Sequence, residues 1–195
     1  MRYWFDTEFI ENGKTIDLIS IGIVCSDGRE YYAISLEFNG YRASQWVKDN
    51  VISQLPPRPA IIHNPWVSPS EKENAKFWKR RKTIAAEVRE FLLFDPYPVI
   101  DGQLDESPEI WAYYADYDWV ALCQLFGTMM DLPKGFPMYC RDIKQECDRV
   151  GNPKLPKQES GEHNALADAR WNKQAWDFLF GFNQDLAIVP STPTF

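Results

Sequence analysis

Three short segments of this sequence place acidic residues, and one histidine, at spacings that could bring them to a single point. The first is Asp6-Thr7-Glu8, preceded by the aromatic run Tyr3-Trp4-Phe5 and followed by Phe9. On a strand, residues i and i+2 share a face, so both carboxylates would point the same way among apolar neighbours. Such a pair repels itself and resists desolvation, and a divalent cation would make it tolerable; the alternative is an exposed strand end carrying two solvated acids. The second segment is Tyr113-Tyr114-Ala115-Asp116-Tyr117-Asp118-Trp119, where an aromatic strand runs into a helix. Aspartate is a favoured helix N-cap. Asp116 fits the cap and Asp118 the first turn, from which a rigidly held carboxylate could meet Asp6. The third is Glu162-His163-Asn164-Ala165-Leu166-Ala167-Asp168, a histidine in a Gly-bearing loop with an acid about one turn inside the helix that follows. A loop histidine can swing in as a general base while a helical acid stays in place as a ligand; the plain alternative is a solvated, hydrogen-bonding histidine. The other histidine, His63, lies in a proline-rich loop with no comparable partners.

Together these residues make one constellation: Asp6, Glu8, Asp118 and Asp168 as metal ligands, and His163 placed to take a proton from water. Four acids and one histidine can hydrolyse a phosphodiester. Two Mg²⁺ or Mn²⁺ ions on the order of 4 Å apart would activate the attacking water and stabilise the leaving 3′-oxygen in an in-line displacement. Hard oxygen ligands favour these cations over zinc.

The elements that would carry the constellation follow from hydrophobic pattern and turn chemistry. Residues 2–9, 16–25 and 29–38 read as strands, with Asn12-Gly13 and Asp27-Gly28 turning between them. That is an antiparallel three-strand meander. Residues 43–51 and 75–93 carry helical apolar spacing, and Gln54 to Ser70, with five prolines, is a long loop between them. Runs near 98–101 and at 109–115 read as strands; 117–127, 141–150 and about 165–180 read as helices. Strands first, then alternating helix and strand, predicts an α/β fold with a mixed five-stranded sheet flanked by helices.

At 195 residues with 45% apolar content, the chain can bury one sizeable core. A single domain over 1–182 and a tail over 183–195 are expected. With a carboxylate already within the first six residues no signal peptide is expected, and no run approaches the roughly 20 apolar residues of a membrane span. A soluble, cytoplasmic protein is expected. The four cysteines form no C-x-x-C pair and suit reduced thiols. A net charge of −7 argues against nonspecific coating of nucleic acid, yet a site that gathers cations must first gather carboxylates. The one dense basic cluster, Lys76 to Lys82, is either a solvated helix face or a phosphate track, and Trp46, Trp66, Trp111 and Trp171 are candidate surface aromatics that would allow a homodimer.

The segments F-D-T-E-F, D-L-I-S-I-G-I-V, Y-A-D-Y-D-W-V-A-L and H-N-A-L-A-D-A, spanning residues 5 to 169, resemble in order and content the motifs of the DEDDh 3′-to-5′ exonucleases. Within that family the chain is most similar to a small group of actinobacterial exoribonucleases. The resemblance implies a ribonuclease H-like fold and an exonuclease that shortens single-stranded RNA or a 3′ overhang to nucleoside 5′-monophosphates. It implies that Asp6, Glu8 and Asp168 hold one metal, that Asp6 and Asp118 attend the second, that Glu8 and His163 are catalytic with His163 as general base, and that Thr7 and Phe9 contact substrate, Phe9 by packing the terminal base or sugar. The second motif departs from the family at Tyr114, where an Asn or similar residue is usual. This leaves Asp116 and Asp118 as alternatives, with Asp118 preferred because Trp119-Val120-Ala121-Leu122 matches the usual apolar pattern after the acid. A DNA exonuclease would use the same catalytic residues, only 2′-hydroxyl contacts separating the two; a silent nucleic-acid-binding module would have no use for crowded carboxylates.

Overall fold

The computed structural model of the chain describes residues 1–59, 68–93 and 107–187. The meander comes first, as β1 (Arg2–Glu11), β2 (Ile16–Cys25) and β3 (Glu30–Ser35), antiparallel throughout. Its turns are built as the sequence suggests: Gly13 and Gly28 take φ of 77° and 92°, left-handed backbone that costs glycine no Cβ clash. The Asn12 side chain accepts from the Lys14 and Thr15 amides, and Asp27 from the Arg29 amide.

After the meander come α1 (Gln45–Asn50), α2 (Pro69–Ala75), β4 (Trp78–Lys79), α3 (Arg81–Leu93), β5 (Glu109–Ala112), α4 (Asp116–Gln124), β6 (Arg141–Asp142), α5 (Ile143–Arg149) and α6 (Ala165–Ala187). β5 lies parallel to β1, β6 parallel to β5, and β4 parallel to β3, giving the sheet order β4-β3-β2-β1-β5-β6. An antiparallel meander extended by parallel strands, with helices on both faces, is the α/β, ribonuclease H-like arrangement that the resemblance implies.

β1 is central and buried on both sides. Tyr3 and Phe5 face α3 and α4, packing with Ile84, Val88, Leu92, Ala121 and Leu122. Trp4 faces the other way, onto Trp111, Ile143, Cys147, Ala175 and Leu179 under α5 and α6. A third cluster, Ile10, Ile19, Ala43 and Val51, binds the segment around α1 to the sheet. Each large aliphatic or aromatic side chain among these contributes about 1.5–3 kcal/mol by burial. The period-2 alternation therefore puts Asp6 and Glu8 on the α6 side with Trp4, and Thr7 on the α4 side with Phe5.

Several expectations need correction. Among the described residues the sheet has six strands, because the two-residue strands β4 and β6 exist only through pairing with Ile34–Ser35 and Trp111–Ala112. The helix expected over 75–93 is interrupted at Trp78, which joins the sheet edge, is buried and packs on Phe38. The strand near 98–101, His63 and Trp66 lie outside the described residues. The last helix runs on past 180 to Ala187. Of the candidate surface tryptophans, Trp111 is buried and Trp171 packs into the α5/α6 layer; Trp46 is exposed. No helix among the described residues is long and apolar enough to cross a membrane.

Candidate active site

Asp6, Glu8 and Asp168 converge so that one carboxylate oxygen of each lies within 4.8 Å of the others. β1 supplies the first two through the i, i+2 relation; α6 supplies the third. The approach of α6 to the sheet depends on Gly22 of β2, the Cα partner of Asp6. A Cβ on Gly22 would come 2.3 Å from the Ala165 carbonyl oxygen, so the start of α6 rests directly on β2. Asn164 caps that start, its side chain accepting from the Ala167 amide. Asn172, two turns into α6 and buried, donates from Nδ2 to the Phe5 carbonyl at 2.9 Å. These contacts anchor Asp168 against β1.

Asp118 completes the cluster from the other side. It lies in the first turn of α4 and is 7% exposed. Its Oδ1 accepts from the Thr7 amide at 2.9 Å and from the Thr7 hydroxyl at 2.6 Å. Asp116, the first residue of α4, is exposed, and neither aspartate is the cap: the N-cap is Ala115, with no side-chain bond to it. The Ala115 amide donates to Asp142 at 3.1 Å, and Asp142 also caps α5. The structure thus brings Asp118, and not Asp116, to Asp6. Thr7, expected against substrate, is 4% exposed with its hydroxyl and amide both given to Asp118; its side chain supports a carboxylate. The departure at Tyr114 also has a backbone meaning: Tyr114 has φ 54°, a left-handed conformation that Asn tolerates better than Tyr.

The electrostatics follow from crowding. Burial, with the charges of Asp118, Glu8 and Asp168 around it, holds the Asp6 carboxyl well above the usual carboxylate range. Burial and the neighbouring Asp168 and Asp118 push Glu8 up to about 8. Asp118 is pushed up to about 6 by burial, against the lowering effect of its two bonds from Thr7. Asp168 is raised by burial, while bonds from Gln158 and the His163 backbone pull the other way; Gln158 Nε2 stands 2.7 Å from Asp168 Oδ1. Burial raises all four carboxyls, and neighbouring carboxylates raise Asp6, Glu8 and Asp118 further; a divalent cation relieves such crowding, and hard oxygen donors suit Mg²⁺ or Mn²⁺.

His163 lines the same cleft as Asp6 and Asp168, a cavity of about 570 Å³ continued by Tyr113, Gln158 and Trp171. A smaller cleft, about 270 Å³, is lined by Glu8, Phe9, Trp46 and Val47. Phe9 stacks on Tyr117 with ring centroids 5.9 Å apart and planes 10° apart. Within the basic run, Lys76, Lys79 and Arg81 are paired with Glu73, Glu87 and Asp17.

A model of the Rv2179c-like 3′-5′ exoribonuclease domain matches residues 1–180. The chain belongs to this family. Among its relatives are the 3′-5′ exoribonucleases Rv2179c and MT2234.1 of Mycobacterium tuberculosis, strains ATCC 25618 / H37Rv and CDC 1551 / Oshkosh. Each is 44% identical over 170 residues, which is 87% of this chain and 88% of the relative. Solved structures are much more distant. E. coli exonuclease I in complex with a dA16 oligonucleotide aligns with a TM-score of 0.46 at 11% identity, over 97% of this chain and 45% of that one, so the chain spans under half of exonuclease I. The structure of the yeast NOT1 MIF4G domain co-crystallised with CAF1 aligns with a TM-score of 0.45 at 10% identity, over 94% and 80%. Gln158, Asn172 and the supporting role of Thr7 were not evident from the motifs; a polar residue at the inward spacing of an apolar helix, as at Asn172, was the one available signal.

Proposed function

We propose that this Rv2179c-like chain is a divalent-metal-dependent 3′-to-5′ exoribonuclease that releases nucleoside 5′-monophosphates from single-stranded RNA or a 3′ overhang. The observation that carries the reading is the convergence of Asp6, Glu8 and Asp168 beside Asp118, in a cleft shared with His163. Asp6, Glu8 and Asp168 would hold one cation, and Asp6 and Asp118 a second. Bound there, two Mg²⁺ or Mn²⁺ would lower the pKa of a water and offset charge on the phosphate and the leaving oxygen. His163 accepts the proton from the attacking water. The water oxygen bonds to phosphorus as the bond to the upstream 3′-oxygen breaks; that oxygen takes a proton from solvent and His163 gives its own back to solvent, leaving a shortened strand with a 3′-hydroxyl and a free 5′-monophosphate. Glu8 orients the water while it ligates. Thr7 holds Asp118 in a fixed direction. Phe9, backed by Tyr117, offers a flat apolar surface for the terminal base, a contact every base can make.

The test incubates the protein with Mg²⁺ or Mn²⁺ and matched 5′-labelled RNA and DNA, each single-stranded or with a 3′ overhang. A ladder shortening from the 3′ end of RNA, abolished by EDTA and by Asp6→Ala, is expected. Equal cutting of DNA would make the enzyme a general exonuclease; no cutting of either would leave a binding module.

A further inference from the structure

The histidine of this site stands on a strained loop, and what holds its ring comes from elsewhere in the fold. His163 has φ 67° and Gly161 φ 78°, so two residues of the turn before α6 are left-handed. For a non-glycine residue that conformation is disfavoured and persists where the surroundings impose it. Two contacts from the segment around α1 reach across to this turn. Gln54 Nε2 lies 3.4 Å from the Glu162 carbonyl. The Trp46 indole meets the His163 imidazole edge to face, with centroids 4.8 Å apart and planes at 79°.

We infer that Trp46 is a positioning residue for His163, fixing the plane of the imidazole through this edge-to-face contact. The inference rests on His163 being the general base. Trp46 has no other evident task in packing: it is 55% exposed and stands outside the cluster of Ile10, Ile19, Ala43 and Val51 that holds its helix to the sheet. α1 itself is secured without it, by Ser44 capping the Val47 amide and by Val47 packing on that cluster. A large indole kept exposed on a firmly anchored helix and turned onto a histidine ring is a support supplied by the scaffold. Precise orientation of the proton acceptor matters for rate, since a small misplacement of a reacting group is costly.

Trp46 also shares the smaller cleft with Glu8 and Phe9, so a direct stacking contact with an RNA base is the competing role, and kinetics separate the two. Loss of a support acting through His163 lowers kcat with KM unchanged; loss of a base contact raises KM. An aromatic contact of this kind predicts a fall in kcat of about 2- to 10-fold for Trp46→Ala. Trp46→Phe, which keeps an aromatic edge, should recover most of it. Nuclear Overhauser contacts between the His163 ring and the Trp46 indole in the metal-free protein, with His63→Ala leaving a single histidine to assign, test the geometry without reference to activity. Ring-to-ring contacts, the kcat loss and the phenylalanine rescue together are the expected result. Absence of the contacts, a rise in KM at constant kcat, or failure of Trp46→Phe to recover activity would overturn the role of Trp46. Undiminished turnover in His163→Ala is a separate outcome: it would remove the histidine from the mechanism and Trp46 with it.

Discussion

Stripping divalent metal from this protein should destabilise it, and the loss should deepen as pH rises. Glu8 is the clearest contributor, because its carboxyl moves from 4.5 to about 8 on folding without metal. A folded pKa above the unfolded one means that the native state binds more protons between the two values, so stability falls as pH climbs from about 4.5 to 8 and the full penalty is present above that window. A displacement of this size corresponds to roughly 4–5 kcal/mol at most, and to about 3 kcal/mol once residual water around a half-buried carboxylate is allowed for. Asp118, raised to about 6, adds in the lower part of the window, and Asp6 acts in the same direction.

For a chain of this size, about 3 kcal/mol corresponds to roughly 6–12 °C in Tm. Scanning calorimetry of EDTA-treated protein between pH 5.5 and 8.5 should therefore show Tm declining as pH rises, and saturating Mn²⁺ at pH 8 should restore most of the difference by binding the native state alone. Glu8→Gln should raise the metal-free Tm at pH 8, flatten its pH dependence and abolish turnover. A metal-free Tm that is level or rising from pH 5.5 to 8, or a Glu8→Gln variant with the wild-type slope, would refute the account of four carboxylates held together against their own repulsion.

Other outcomes follow from single contacts. Asp118→Asn should lower turnover by at least about 100-fold while Asp116→Asn stays within about 2-fold of wild type in the same RNA assay, because only Asp118 is turned into the cluster. Thr7→Val keeps the amide bond to Asp118 and removes the 2.6 Å hydroxyl bond; a loss of about 1–2 kcal/mol in Mn²⁺ binding by titration calorimetry is expected. Gly22→Ala should cost at least about 3 kcal/mol in urea unfolding, since its Cβ would meet the backbone at Ala165. Tyr114→Asn, at φ 54°, should raise Tm by about 2 °C by easing the left-handed residue.

What could be read in the sequence was whatever depends on local spacing. Asp6 and Glu8 share a face because strands have period 2, and the meander announces itself through Asn12-Gly13 and Asp27-Gly28. What could not be read depends on partners distant along the chain. β4 and β6 are strands only because Ile34 and Trp111 lie beside them, and Trp78, apolar and at helical spacing, serves equally as a helix residue until its neighbour is known. The apolar residues after Asp118 favoured it over Asp116 in the sequence, but the Thr7 contact that fixes its direction, across 111 positions, is encoded by no local pattern.

The same long-range dependence explains why the site survives its own electrostatics. The two acids outside β1 are each held by a hydrogen bond, Asp118 by the Thr7 amide and Asp168 by Gln158, and α6 is held by Asn172 and its close approach to Gly22. The repulsion is then carried by the apolar layers on both faces of β1, Tyr3 and Phe5 on one side and Trp4 on the other, in the same strand that bears Asp6 and Glu8. Relaxing the acids apart would mean withdrawing β1 from both cores. A strand buried on both faces can thus keep paired carboxylates close without metal.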